Sequence, residues 1–251
     1  MNRILWTAAV VIAIGGPSSL ARADEQAVKA ILDKAIKALG GEAKLASAEI
    51  YSRKAKGTIN VNGNQSPFTV QSTTQGLEHY RIDFEGDFNG TPFKLVVVLD
   101  GDKAWRKIGD DKVGLDAAAV ANEQRNVYLQ VIPTRIVPLL SKKFKVESAG
   151  EEVINDKPAA LLAVTGPEGK DFTIALNKET GLPIRVVAKV LGVQGQETLQ
   201  ETTYSDYRQV DGIMRAMKVE TKRDGQEWLK QEVTEFKVLD KVDSQAFAEP
   251  Q

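Results

Sequence analysis

The sequence contains no cysteine and only one histidine, and its charges nearly cancel, with 33 Lys and Arg residues against 34 Asp and Glu residues. Without cysteine, the chain has neither a disulfide framework nor an acceptor for a lipid anchor. No block of Lys and Arg with interleaved aromatic residues is present, so no feature typical of nucleic-acid binding is found. We therefore expect neither a disulfide-stapled nor a nucleic-acid-binding protein.

The N-terminal segment has the features of a cleaved secretory signal peptide. Arg3 supplies a short positive region, Ile4 to Gly15 an apolar stretch, and Ala21-Arg22-Ala23 a small-x-small cleavage pattern. The apolar stretch is shorter than the roughly 20 residues that cross a bilayer, and a Gly-Gly-Pro triplet interrupts it. We expect residues 1–23 to be removed and residues 24–251 to form a single periplasmic or secreted domain.

Apolar residues at helical spacing predict an amphipathic helix behind this segment, with Asp24 as a candidate N-cap and Gly40-Gly41 as its end. A helix with one apolar stripe needs another surface to pack against. The stripe consists of Val28, Ile31, Leu32, Ala35, Ile36 and Leu39.

From Ile50 onward the apolar period changes to two, and turn signals recur at intervals typical of antiparallel strands, of which we count about eleven. Gly86 to Gly90 is one of the predicted connections. Asp116 is the predicted N-cap of a helical insertion in the middle of the strands. A sheet of this size curls or splits, so we predict a mainly β fold with helices (α+β) and a strongly curved sheet around a helix.

Two carboxylates, Asp100 and Asp102, flank Gly101 at the end of the apolar run Leu95–Leu99. A calcium site would need more oxygen ligands in this loop, and acid–base catalysis would need burial to separate the two pKa values. Gly and Asp both tolerate the backbone angles of a tight hairpin turn. We predict a hairpin here, and no metal site.

Motifs for catalysis are absent. His79 lies on the polar phase of its strand, and we find no G-x-S-x-G, HExxH, Walker or dinucleotide-binding pattern. A Ser-His-Asp triad of distant residues stays formally open, as does a carboxylate-based hydrolase, because carboxylates on separate strands leave no recognisable spacing. We expect no enzyme and no cofactor.

Seven short motifs, taken together, resemble the periplasmic lipoprotein carrier LolA and its relatives, the lipoprotein-sorting superfamily that includes LolB and LppX-type proteins. The motifs are His79–Phe84, Val98–Trp105, Ala149–Glu152, Leu176–Arg185, Tyr204–Tyr207, Asp211–Ile213 and Val242–Phe247. The resemblance implies an unclosed antiparallel half-barrel around helices, with an apolar cavity that receives acyl chains in carriers or senses lipoproteins in a related regulator. Gln75–Glu78 replaces the family's basic-proline entry, so no arginine latch is assigned.

These observations predict an exported, monomeric, non-enzymatic protein that holds lipid or lipoprotein acyl chains, with a membrane-associated delivery partner. One alternative is an exported interaction or sensor module with a filled core, and another is the hydrolase. Two prolines break the apolar segment 132–140, which we predict to be a lid through Ile132, Ile136, Val137 and Leu140. The predicted cavity residues are Phe68, Val70, Tyr80, Ile82, Phe84, Phe172, Ile174, Met217 and Val219.

Overall fold

A computed structural model describes residues 17–61, 63–167, 171–191, 195–243 and 245–251, with the side chains of 17–23 left out. The helices are α1 (Pro17–Leu39), α2 (Glu42–Ser47) and α3 (Ala117–Arg135), and a 3₁₀ helix (Val137–Leu140) follows α3. Within these residues, no helix combines the length and the apolar character needed to span a bilayer. The strands are β1 (Ile50–Val61), β2 (Asn64–Gln75), β3 (His79–Phe88), β4 (Thr91–Asp100), β5 (Lys103–Ile108), β6 (Asp111–Gly114), β7 (Lys145–Ile154), β8 (Lys157–Thr165), β9 (Asp171–Asn177), β10 (Pro183–Leu191), β11 (Glu197–Val210), β12 (Ile213–Arg223) and β13 (Gln226–Val238).

All of these strands belong to one antiparallel sheet, in the order β6-β5-β4-β3-β2-β1-β13-β12-β11-β10-β9-β8-β7. Consecutive strands pair with each other except β6 and β7, and the one pairing between strands that are not consecutive joins β1 to β13, with Tyr51 opposite Val238. Strands β6 and β7 are the two free edges, so the curved sheet does not close. The predicted fold class is confirmed, with 13 strands where the turn pattern had indicated about eleven.

The carboxylates around Gly101 lie at a hairpin, as predicted. Asp100 pairs with Lys103 at the end of the β4–β5 ladder, and Gly101 has φ 62°, a left-handed value that suits glycine. Among the described residues, no group of three or more His, Asp or Glu side chains is arranged to hold a metal ion. The acidic pair is therefore explained by turn geometry.

The predicted connection from Gly86 to Gly90 is wrong in its extent. Strand β3 continues to Phe88, and Gly86 lies inside it, paired with Phe68. Asn89 (φ 56°) and Gly90 (φ 81°) alone make the turn. Glycine within a strand interrupts the apolar alternation, which made the strand look shorter than it is.

Helix α1 packs its apolar stripe against the half of the sheet formed by β8 to β12. The helix ends before Gly40 as predicted, but it begins at Pro17, so Asp24 lies inside it and is not an N-cap. The sequence Ala21-Arg22-Ala23 lies within its first turns, and residues 1–16 of the expected signal peptide fall outside the described part. The core around the stripe includes Leu162, Val164, Phe172, Ile174, Leu176, Val186, Ala188, Val190 and Ile213.

Helix α3 is inserted between the two edge strands and carries the predicted cap. The Oδ1 atom of Asp116 accepts a hydrogen bond from the Ala119 backbone N–H at 2.9 Å. The helix continues through Pro133, which has no N–H to donate to the Leu129 carbonyl. The Tyr204 hydroxyl donates to that carbonyl instead, at 3.4 Å. A side chain from the sheet thus compensates for the proline.

The segment 132–140, predicted to be a lid, packs against the core in this structure apart from Leu140. Ile132 and Ile136 are fully buried, Val137 is partly buried against the same cluster, and Leu140 is 44% exposed. Ile136 has φ 60° and ends α3, which turns the 3₁₀ helix back to pack against α1 and α2. The two prolines therefore do not keep this segment from packing into the protein interior.

We expect Ile136→Asp to lower the free energy of unfolding by more than about 3 kcal/mol, since it buries a carboxylate without a partner and leaves a void. Leu140→Asp, in the same segment but exposed, is the matched control and should cost less than about 1 kcal/mol. Urea unfolding followed by circular dichroism measures both. A stable Ile136→Asp protein with altered ligand uptake would restore the lid interpretation.

Close approach of β1 and β13 requires glycine at position 57. A Cβ atom added there would lie 1.9 Å from the Lys230 carbonyl oxygen. We expect Gly57→Ala to destabilise the fold by about 1–3 kcal/mol, because the backbone must move apart. Gly114→Ala is the control, since its nearest contact would be the Trp105 ring at 3.9 Å. Equal thermal midpoints for the two variants would disprove this constraint.

Candidate ligand-binding cavity

A cavity of about 340 Å³ lies on the inner face of the sheet, over its central strands. Helix α1 fills the space over β8 to β12, and α3 packs against β4, β5 and β10. Between them, a separate apolar cluster of Ala55, Phe68, Val70 and Val233 lies on β1, β2 and β13. The cavity forms where the inner face of the sheet passes from one helix-covered region to the other.

Six of the predicted cavity residues line this space: Phe68, Val70, Tyr80, Ile82, Phe84 and Val219. On β3, the alternation puts Tyr80, Ile82 and Phe84 on the inner face, and the ladder sets Val70 opposite Phe84. The rings of Phe68 and Phe84 stack at 5.0 Å between centroids. The period-two pattern therefore gave the correct inner face for β2 and β3.

The other three predicted residues are not on the cavity wall. Phe172 and Ile174 are buried in the core beneath α1, because that helix covers the inner face of β9. Met217 packs against the cluster that includes Phe68, Val70 and Val233. Their strand phase did point inward, but the phase cannot show which part of the inner face a helix occupies.

Helix α3 forms a polar wall that the sequence analysis did not assign. Glu123, Asn126 and Gln130 face the cavity beside Leu129 and Thr134. The Tyr80 hydroxyl donates to the Gln130 Oε1 atom at 2.9 Å, and Arg106 donates to the Glu123 Oε1 atom at 2.7 Å. These contacts join the helix to β3 and β5 across the cavity rim.

Three arginines also line the cavity: Arg53 on β1, and Arg215 and Arg223 on β12. Elsewhere in the described chain, four arginines form ion pairs, as Arg106 does with Glu123, and Arg125 and Arg135 donate to backbone carbonyls. The three cavity arginines have no carboxylate at ion-pair distance. Glu123 is the only acidic residue among the described residues that line the cavity. The wall therefore carries an excess of positive charge, which the scattered arginines of the sequence did not reveal.

Buried tyrosines keep their protons in this environment. Burial raises the pKa of Tyr80 and Tyr204 well above the ordinary value, although the nearby Arg53 charge acts in the opposite direction. Burial likewise raises the pKa of Tyr207, whose hydroxyl donates to the Pro183 carbonyl at 2.6 Å. The three phenols therefore stay neutral and donate hydrogen bonds to protein acceptors from β3 and β11.

The single histidine lies away from this site. His79, on the polar phase of its strand, is half-buried, with its Nδ1 atom 2.8 Å from the Asp100 Oδ1 atom and its ring 5.5 Å from that of Phe247. The contact lies at the start of β3, beside the hairpin at Gly101. The His79–Asp100 contact therefore joins the ends of β3 and β4 and is not part of the cavity wall.

No protein-family model and no curated protein matches this sequence. Solved structures do match. A LolA superfamily protein from Nitrosomonas europaea aligns with a TM-score of 0.59 and 13% identity, over 88% of this chain and 97% of that one. A DUF1329 family protein from Desulfovibrio piger has a TM-score of 0.55 and 15% identity, over 88% and 96%. A structure described as an outer membrane lipoprotein-sorting protein domain, from Vibrio parahaemolyticus, has a TM-score of 0.51 and 10% identity, over 82% and 94%.

These alignments extend along most of each chain, so they compare the whole half-barrel and not a single motif. At 10–15% identity, the similarity concerns the fold and does not reach the site residues. It agrees with the unclosed 13-stranded sheet and the helix inserted within it. The chain therefore has the LolA-like fold.

Proposed function

We propose that this protein is an exported, monomeric, non-enzymatic carrier that holds a lipid acyl chain in its central cavity and passes it to a membrane-associated partner. The observation that carries the proposal is the cavity of about 340 Å³ with Phe68, Val70, Ile82, Phe84 and Val219 on its wall. This volume is within the range of small-molecule sites, roughly 300–1,000 Å³. Export rests on the signal-like residues 1–23.

Acyl-chain burial supplies enough free energy for such a role. Each buried methylene contributes about 0.8 kcal/mol, so twelve contribute about 10 kcal/mol before the cost of association. Association costs at least about 4 kcal/mol, which leaves at most about 6 kcal/mol and gives an expected Kd of tens of micromolar or weaker. An affinity of this size is compatible with both loading and release.

The two alternatives have less support. A module with a filled core would leave no space at the centre of the sheet, whereas the cavity is open there. A carboxylate-based hydrolase needs two acids facing one cleft, and among the described residues Glu123 is the only acid on the cavity wall and is paired with Arg106. The Vibrio structure's description as a lipoprotein-sorting domain agrees with a carrier.

We expect protein produced with its own N-terminal segment to be exported, to begin near Asp24 and to carry about one lipid per chain. Native mass spectrometry measures the mass of the chain and of the bound species, and solvent extraction identifies the lipid. Protein that is lipid-free and takes up no fluorescent fatty acid would refute the carrier proposal. A retained N-terminal segment would refute only the export step.

Filling the cavity should weaken binding. Val219→Phe adds a ring at the wall, and if it displaces two methylenes of the ligand, the affinity for a fluorescent fatty acid should fall about tenfold. Val153→Phe is the matched control, because Val153 is 70% exposed on the edge strand β7. Fluorescence titration compares the two. Equal affinities in variants of equal thermal stability would place the ligand elsewhere.

A further inference from the structure

Arg215 is the least satisfied charged group on the cavity wall. Its side chain is 3% exposed, and its Nη1 atom donates to the Thr134 carbonyl at 3.1 Å. Its Nε and Nη2 atoms are buried without a hydrogen-bond partner, and the guanidinium lies 4.0 Å from the centre of the Phe236 ring. Buried charges in native proteins are usually paired, so two donors without a partner on a residue of the cavity wall indicate a missing acceptor.

The charge of Arg215 persists although burial is unfavourable. Burial lowers the pKa of Arg215 to about 10. Tyr51 and, more weakly, Asp211 raise this pKa, whereas the neighbouring Arg135 lowers it further. A base with a pKa near this value is still protonated at neutral pH. A ligand would therefore meet a cation at this position, held by aromatic contacts in place of a carboxylate.

Arg53 brings a second guanidinium to the same end of the cavity. It lies on β1 opposite Phe236 of β13, the residue whose ring contacts Arg215. Its charge also acts on the hydroxyls of Tyr80 and Tyr204, both of which line the cavity. This end of the cavity thus combines the buried guanidinium of Arg215 with that of the half-buried Arg53. The neutral hydroxyls of Tyr80 and Tyr204 lie nearby and donate to Gln130 and to the Leu129 carbonyl.

The opposite end carries large apolar side chains beside Arg223 and is less buried than Arg215. Ile59, Phe84, Trp228 and Leu229 line the cavity there and are half-buried, whereas Arg215 is almost wholly buried. Arg223, at this end, is eight positions beyond Arg215 along β12, which is a distance of about 26 Å in an extended strand. An elongated apolar chain therefore has a path from the deep end toward the outside.

Arg223 belongs to this outer end and is already satisfied. Its Nε and Nη2 atoms both donate to the Gln200 Oε1 atom at 3.2 Å, and its guanidinium stacks 3.4 Å from the centre of the Trp228 ring. It therefore has less need of a ligand acceptor than Arg215.

We propose, building on the carrier function above, that the ligand is a single-chain anionic amphiphile that enters headgroup first, with its carboxylate or phosphate between Arg215 and Arg53 and its alkyl chain running toward Phe84 and Trp228. A cavity of about 340 Å³ suits one chain better than the several chains of a mature lipoprotein. Guanidinium groups bind carboxylate and phosphate through paired N–H donors, which the free Nε and Nη2 atoms supply.

The test compares headgroups on one alkyl chain. The measurement is displacement of a bound fluorescent fatty acid from the wild-type protein at pH 8 by hexadecanoic acid, hexadecyl phosphate or hexadecanol. We expect the acid or the phosphate to bind at least about tenfold more tightly than the alcohol, as one charge-assisted contact implies. The tighter of the two anions identifies the headgroup. Equal affinities for all three would overturn the anionic site but keep the carrier function, and no binding of any would refute both.

Variants locate the headgroup. Arg215→Met keeps the apolar stem and should remove most of the preference for the anions over hexadecanol. Arg53→Met should weaken that preference. Arg208→Met, which removes an exposed arginine paired with Asp206 on β11, is the control and should retain it. Loss of the preference in Arg223→Met alone would place the headgroup at the mouth and overturn the head-first orientation.

Stability gives an independent readout. Arg215→Met removes a buried charge without a carboxylate partner, so we expect its thermal midpoint to equal or exceed that of the wild type. A stable variant that has lost anion preference supports a binding role. A strongly destabilised variant would show that Arg215 serves the fold, and the wild-type headgroup comparison would then decide the ligand class by itself.

Discussion

The cavity depends on how helix α3 is held across the inner face of the sheet. Arg125 donates to the carbonyls of Asp171 and Lys189, and Arg135 donates to the carbonyl of Leu45. Burial lowers the pKa of both guanidinium groups, the cost of placing charges in the interior. Because these contacts anchor the helix to β9, β10 and α2, it need not collapse onto the central strands. The space beneath it can therefore stay empty.

Much of the fold could be read from local patterns. The apolar stripe from Val28 to Leu39 predicted the helix α1. The glycine and aspartates around Gly101 predicted the β4–β5 hairpin. On β3, the alternation of Tyr80, Ile82 and Phe84 placed these side chains correctly on the inner face. Each of these features follows from neighbours along the chain, where period and turn preference act directly.

The remainder depends on tertiary contacts that no local pattern encodes. Phe172 and Ile174 have the same inward phase as Phe84, and only the position of α1 makes them core. The 132–140 segment seemed loose because of its prolines, yet Tyr204 satisfies the carbonyl that Pro133 leaves free. The burial of Arg215 could not be foreseen either, since an arginine on a strand near a turn usually faces solvent.

The β1–β13 pairing also has a kinetic consequence. Eleven of the twelve described ladders join strands that are consecutive along the chain, and these can form by zipping outward from a turn. Only the β1–β13 pairing, which sets Tyr51 opposite Val238, joins strands that are far apart along the chain. Because forming it closes a very long loop, we expect this pairing to form late in folding. The cavity takes its walls from both sides of that seam. A chain arrested before this step has two sheet halves but no cavity between them, and whatever stabilises the β1–β13 pairing slows their separation.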